Sequence, residues 1–341
     1  MIVEKIRRRV GLLGIAAVAL AAAVTVFSVP VTSAQGTAVT VLEASGALPV
    51  GDPFDPAWDA IRPVDVPLSG QAIVPPMLVS PSVGSVRVRA LKDSARLAVL
   101  LEWSDASMND SVLTPNSFAD QAAIQFGLGL GSAICMGMQA GGLNIWHWKA
   151  DWAADQAGYR DVDAAHPNEP TDPHAPQAAS QTVTPNDLGP DGFFSARMAG
   201  NPRSMLDRPS SVEDLNAIGF GSLTPQPRVE QEVRGASTWR DGTWRVVFSR
   251  ALAPTDPNDA QFGQTTAVTS AFAIWDGAHG DRDGLKSVSG WMTLLLPAQP
   301  MTLLDEGPLL VMILMAIGLA LAVLYIGVRQ PTLPWHGPTQ E

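Results

Sequence analysis

The feature that most limits the fold is a series of short aromatic and β-branched runs, punctuated by glycine, proline and aspartate. Residues 86–91 read Val-Arg-Val-Arg-Ala-Leu, the alternation of a half-buried strand. An Asp93-Ser94 turn follows, and then the apolar run 97–103. Runs at 122–126, 143–148, 243–250, 267–275 and 289–296 have the same character, with Asp241-Gly242 as the turn before 243–250. Together they predict an all-β fold, an antiparallel β-sandwich. The chain has 30 glycines and 28 prolines in 341 residues, a content that suits turns and excludes a helical bundle. Residues 153–235 break the rhythm with repeated X-Pro pairs and read as a long irregular insertion packed over one end. A short helix is expected within it at 211–218, capped by Ser211 with Asp214 at the third position.

The two ends are different from the body. In residues 1–34 a basic head (Lys5, Arg7, Arg8, Arg9) precedes an apolar stretch and a small-residue Thr32-Ser33-Ala34 site, the pattern of an export signal, with an uncleaved anchor as the alternative. A second run, 309–328, holds 20 residues without a charge. At a helical rise of 1.5 Å it spans about 30 Å, one hydrocarbon thickness. The expectation is a transmembrane helix over 308–328. A domain at 35–300 would lie on the extracytoplasmic (periplasmic or outer) face, with a cytoplasmic tail at 329–341 headed by Arg329.

A formal charge of −11 with no basic stripe argues against a nucleic-acid partner. The single cysteine, Cys135, excludes an intrachain disulfide, a four-cysteine metal or iron–sulfur site and a Cys-x-x-Cys-His haem attachment. There is no His-Glu-x-x-His, phosphate-binding loop or Gly-x-Ser-x-Gly elbow. His147 alternates with Trp146 and Trp148, so it faces away from both indoles and reads as a hydrogen-bonded sheet histidine. Asp276, His279, Asp281 and Asp283 crowd one turn, either as solvated acids or as a calcium site. Two segments remain: 131–138, a small-residue loop with Met136 and Met138, and 275–291, in which Lys286 sits where a charged turn gives way to a strand.

The ordered series Ala-Ile-Gln-Phe, Cys-Met-Gly, Asn-Ile-Trp-His-Trp-Lys-Ala-Asp, Phe-Ala-Ile-Trp-Asp-Gly and Lys-Ser-Val-Ser-x-Trp resembles the haem-b-binding γ subunits of ethylbenzene and dimethylsulfide dehydrogenases. Chlorate reductase and nitrite oxidoreductase relatives are of the same kind. The resemblance covers about residues 86–296. It implies a β-sandwich holding one non-covalent haem b between axial methionine and lysine ligands. It also implies partners: an iron–sulfur β subunit, a molybdenum bis-pterin α subunit, and a quinone pool or cytochrome c as external carrier. Matched to the motifs, the ligands are Met136 and Lys286, with Met138 and Lys149 as rivals.

Only four lysines exist. Lys5 lies in the signal, Lys92 in a turn context that reads as exposed, and Lys149 has an ordinary explanation as a salt bridge to Asp151 or another acid. A thioether is a soft neutral donor that favours ferrous iron, while lysine ligates only as the neutral amine. Burial and competition from the metal must therefore remove its proton. Two side-chain ligands leave no open position for substrate, which implies electron transfer rather than catalysis on this chain. Trp146, Trp148, Trp275, Trp291 and Phe126 are candidates for pocket walls or for core. Arg245, Arg250 and Arg282 are candidates to meet haem propionates. The alternative functions are an exported module that binds carbohydrate or another surface ligand, and an assembly factor that holds haem only transiently.

Overall fold

The computed structural model describes residues 38–129, 136, 141–160, 162–168, 208–263, 265–297 and 311–321. The strands, in chain order, begin with β1 (Ala38–Glu43), β2 (Val64–Pro67), β3 (Ser69–Gly70), β4 (Ser85–Lys92) and β5 (Arg96–Ser104). Next come β6 (Gln121–Gly127), β7 (Leu143–Lys149), β8 (Val212–Ala217), β9 (Thr224–Pro225) and β10 (Arg234–Arg240). The last are β11 (Thr243–Ala251), β12 (Ala267–Trp275), β13 (Ser287–Val288) and β14 (Met292–Leu295). They form one curled sheet ordered β10-β11-β5-β4-β1-β14-β12-β6-β7-β8-β9, with β2 on β4 and the short β13 linking β12 to β3.

The corner is β1. Its first half lies parallel to β14 (Ala38 opposite Thr293) and its second half parallel to β4 (Val41 opposite Ala90). The other described strand ladders are antiparallel. The expected antiparallel sandwich is thus corrected to a mixed sheet. Alternation along a strand says which face is buried but nothing about the direction of its neighbours. Here one strand pairs along two edges that would otherwise be open.

Strand alternation decides what lies between the two halves. Val99, Leu101 and Trp103 of β5 join Val246 and Phe248 of β11 in a continuous buried cluster. From the other half come Ile124 and Phe126 of β6, Trp146 and Trp148 of β7, and Phe272 and Ile274 of β12. Trp148 meets Trp103 and Trp244 edge-on at 6.1 and 4.9 Å between ring centroids. The opposite face of the β4–β5–β11 half is also covered, with Ala98, Leu100 and Val247 under Trp58 and Ile61. Behind β7 a buried polar group ties strands to loops. Arg250 reaches Asp259 at 2.8 Å and Asp214 at 3.5 Å, and Asn144 Nδ2 donates to Asp214 at 2.6 Å.

Three local expectations are corrected. Residues 212–217 are the strand β8, not a helix: Val212 joins the core while Leu215 and Ala217 pack on the other face. Pairing with β7 from Leu143–Ala217 to Trp148–Val212 overrides the local cap signal. The insertion therefore returns to the sheet well before residue 235. Lys92 is not in an exposed turn: it ends β4, is 4% exposed, and pairs with Glu43 of β1 at 2.6 Å. The turn acids Asp276 and Asp281 are buried rather than solvated, and act as hydrogen-bond acceptors for the turn.

Among the described residues, no helix is long and apolar enough to cross a membrane. Residues 311–321 are helical and exposed throughout. The rest of the expected 308–328 span, the 1–34 signal and the 329–341 tail lie outside the described residues.

Candidate functional site

The second face of the β12–β6–β7–β8 half is the floor of a cavity of about 580 Å³, within the range of cofactor and ligand pockets. Register sets its rows. Val288, Ala273, Ala123, His147 and Glu213 lie side by side across five strands, and Ala271, Gln125, Ile145 and Leu215 form the next row. All of them line the cavity. The space exists because the central positions are alanine: Ala123, Ala271 and Ala273 alternate with Ile124, Phe272 and Ile274, which fill the core on the opposite face. At about 4.8 Å between strands, β12 and β8 stand about 14 Å apart across this floor.

Two walls rise from opposite sides. On the β8 side Met136 lines the cavity, and its carbonyl accepts from Gly219 N at 2.7 Å, just past the end of β8. Met136 is held at φ 77°, the left-handed region that normally calls for glycine. That conformation costs on the order of 1 kcal/mol for a side-chain-bearing residue. On the β13 side stands Lys286. Its carbonyl accepts from Gln71 N at 3.0 Å, and the next residue, Ser287, pairs with Gly70. Gln71 is buried, and its Nε2 donates to the carbonyls of Val74 and Gly284 at 2.8 and 3.0 Å, locking the 71–76 loop onto the Lys286 turn. Gly284 is required there, because a Cβ would lie 2.5 Å from the Pro76 carbonyl. Lys286 Nζ lies 5.0 Å from the Trp275 ring centroid.

Trp275 is the aromatic centre of the site. It lines the cavity, donates from Nε1 to the Asp283 carbonyl at 3.1 Å, and stacks on His147 at 4.9 Å with 28° between planes. The Nε2 of His147 is buried without a hydrogen-bond partner, unlike the bonded sheet histidine expected. Burial first, and then the neighbouring ammonium groups of Lys149 and Lys286, hold His147 well below its usual 6.5. It is neutral at pH 7.

Of the residues singled out from sequence, Met136, Lys286 and Trp275 are brought to one cavity. Trp146, Trp148 and Phe126 are not: each faces the core between the halves. Trp291 packs against the apolar cluster of the cavity face, which includes Ala123, Ile145, Leu215 and Trp275. Met138 and Cys135 lie outside the described residues. Lys149 also lines the cavity, but it forms an ion pair with Glu213 across β7–β8 and sits 4.0 Å over the Trp152 ring. The partner acid is Glu213, in keeping with the expected salt bridge to Asp151 or another acid. The floor alanines, Gln71 and the Phe220–Leu223 wall were not singled out from sequence. The available signal is the alanine at alternate positions, Ala271 and Ala273 of β12 with Ala123 of β6, opposite bulky neighbours.

Fold and site define a mixed-β protein with a preformed, largely apolar cavity that offers a thioether, an amine and a neutral imidazole from fixed backbone positions. The ethylbenzene dehydrogenase family model matches residues 55–287, and the chain belongs to this family of γ subunits. A dimethylsulfide dehydrogenase subunit gamma from Rhodovulum sulfidophilum is 30% identical over 70% of this chain and 72% of its own length. A protein of Haloferax mediterranei named as a respiratory nitrate reductase heme subunit is 25% identical over 79% and 80%. A chlorate reductase subunit gamma from Ideonella dechloratans is 26% identical over 59% and 60%. A carbohydrate binding module of family 9 from Caldicellulosiruptor kristjanssonii, 10% identical with a TM-score of 0.38 over 77% of this chain and 98% of its own, is too distant to bear on fold or function.

Proposed function

We propose that this chain is a haem-b-binding γ subunit that relays electrons in a molybdenum oxidoreductase complex, between an iron–sulfur subunit and a quinone or cytochrome carrier. On this reading it works on the extracytoplasmic face, tethered by the apolar segment 308–328. The observation that carries the reading is that Met136 and Lys286 line one cavity from opposite walls of an alanine floor. The names of the relatives, which include a heme subunit and two gamma subunits, point the same way.

The residues fit the group. Met136 would supply the sulfur ligand and Lys286 the amine, while the alanine rows, Ile145 and Leu215 would take an apolar macrocycle. When bound, the haem supplies a one-electron ferric–ferrous couple. The protein's part is to hold both ligands on pinned backbone. Met136 is fixed through Gly219, and Lys286 through Gln71 and the β3–β13 pair, so both side chains would be presented to the group from fixed backbone. His147, kept neutral, adds no positive charge beside the amine, and it stacks on Trp275. Lys149, engaged by Glu213, is left as an ion pair.

The test is optical. The purified full chain is expected to carry a b-type Soret band and to lose it, or retain a shifted five-coordinate spectrum, in Met136→Ala. A colourless, fully folded chain that takes up no added haemin would overturn the proposal and favour the surface-ligand module.

A further inference from the structure

We infer that Arg282 is the anchor for a propionate carboxylate of the bound tetrapyrrole, which fixes the rim at which the cofactor's charged edge lies. This rests on the haem reading and deepens it. A haem is an apolar plate with two ionised carboxylates on one edge. Burying an unpaired carboxylate is far costlier than leaving it at a wet rim beside a cation. The edge's place is therefore set by whichever cation stands at the solvent boundary of the cavity and is not already neutralised.

Among the arginines open to this role on sequence, two are committed elsewhere. Arg245 binds Glu102 at 2.9 Å and Asp59 at 3.0 Å on the far half of the sheet. Arg250 is fully buried with Asp214 and Asp259. Arg282 alone of the three lines the cavity, and it is exposed, as a propionate rim requires. Its guanidinium is nonetheless fixed. Nη1 donates to the Gly280 carbonyl at 2.7 Å, and the group lies 4.7 Å over the Phe118 ring. Those contacts leave Nε and Nη2 for a ligand, and no described carboxylate forms an ion pair with Arg282. The other cation with a settled partner at the cavity, Lys149, is occupied by Glu213. Arg282 also lies on the turn that presents Lys286, so one short segment sets both the axial amine and the orientation of the plate.

The experiment compares haemin with haemin dimethyl ester, which keeps the iron and the macrocycle but lacks both carboxylate charges, in titrations of the haem-stripped full chain. For an exposed charge-assisted contact the wild type should prefer haemin by about tenfold. Arg282→Gln should bind the two equally, with an unchanged axial-ligand spectrum, and Arg282→Lys should restore part of the preference. Full discrimination in Arg282→Gln would overturn the assignment while leaving the haem reading intact. A wild-type chain that binds neither porphyrin would instead overturn the haem reading, and this inference with it.

Discussion

Lys149 and Lys286 line the same cavity, yet their surroundings predict opposite phenotypes. Lys149 is 19% exposed and its partner Glu213 8%, so their ion pair is neither a free surface pair nor a dry one. Exposed pairs contribute up to about 1 kcal/mol, whereas stranding one member of a buried pair costs about 3–5 kcal/mol. Lys149→Ala leaves Glu213 without this cation and removes the contact with Trp152. A loss of about 2 kcal/mol is therefore expected, or a fall in Tm of about 4 °C at the usual scaling for large domains. Lys286→Ala removes an ammonium 5.0 Å from the Trp275 centroid, a contact of about 0.5–1 kcal/mol. With haemin, Lys286→Ala should change the visible spectrum from a six- to a five-coordinate form, and Lys149→Ala should leave it unaltered. Absorbance of the reconstituted chains decides the assignment, and thermal melts of the stripped Lys149 variant check its stability loss. A spectrum changed by Lys149→Ala and untouched by Lys286→Ala would refute the assignment of the amine.

Two further outcomes follow from the floor and from the buried acids. Ala273→Phe places a ring in the row between Ala123 and Val288, on the cavity face rather than in the core; haemin affinity should fall by at least about tenfold with the far-UV spectrum retained, a loss of about 1.4 kcal/mol or more, and undiminished affinity would show that the cofactor does not lie on this floor. Asp120 is fully buried near Asp105, and burial raises its pKa to about 7 despite hydrogen bonds from Gly277 N, Asn109 N and Trp244 Nε1. Its folded value exceeds the unfolded 3.8, so its contribution to stability is fully present below about pH 4 and is lost as pH rises toward 7, by up to about 1.4 kcal/mol per pH unit. Denaturant unfolding of the wild type and Asp120→Asn should therefore differ most in favour of the wild type at low pH, and a difference that is constant from pH 4 to 7 would contradict this.

What sequence made legible follows from what a single strand can encode. β4, β5, β6, β7, β11 and β12 are readable because each is a short alternating or apolar run bounded by turn residues, a local property of the chain. The pairing of β1 is not, since it depends on two edges far apart in sequence. β8 resembles a helix in sequence because Ser211 and Asp214 imitate a cap, although Asp214 belongs to the buried Arg250 group. Met136 and Lys286 came from motif resemblance rather than from patterning, and nothing local to either reveals that their walls share a floor.

The division of roles within β7 explains why the aromatic residues misled. Trp146, His147 and Trp148 are successive, and alternation correctly sets the histidine against the two indoles. Alternation cannot say which side is the site when both sides are apolar, as they are in a strand covered on two faces. Bulk alone leaves the tryptophans open as pocket walls or as core. Packing decides between them: large side chains fill the space between two sheet halves, and a cofactor needs the face where side chains are small. On β12 the same rule separates Phe272 and Ile274 from Ala271 and Ala273, and on β6 it separates Ile124 and Phe126 from Ala123. Trp275 escapes the pattern because it stands at the end of β12, where its ring closes the floor against the turn that carries Lys286 instead of occupying the floor's centre.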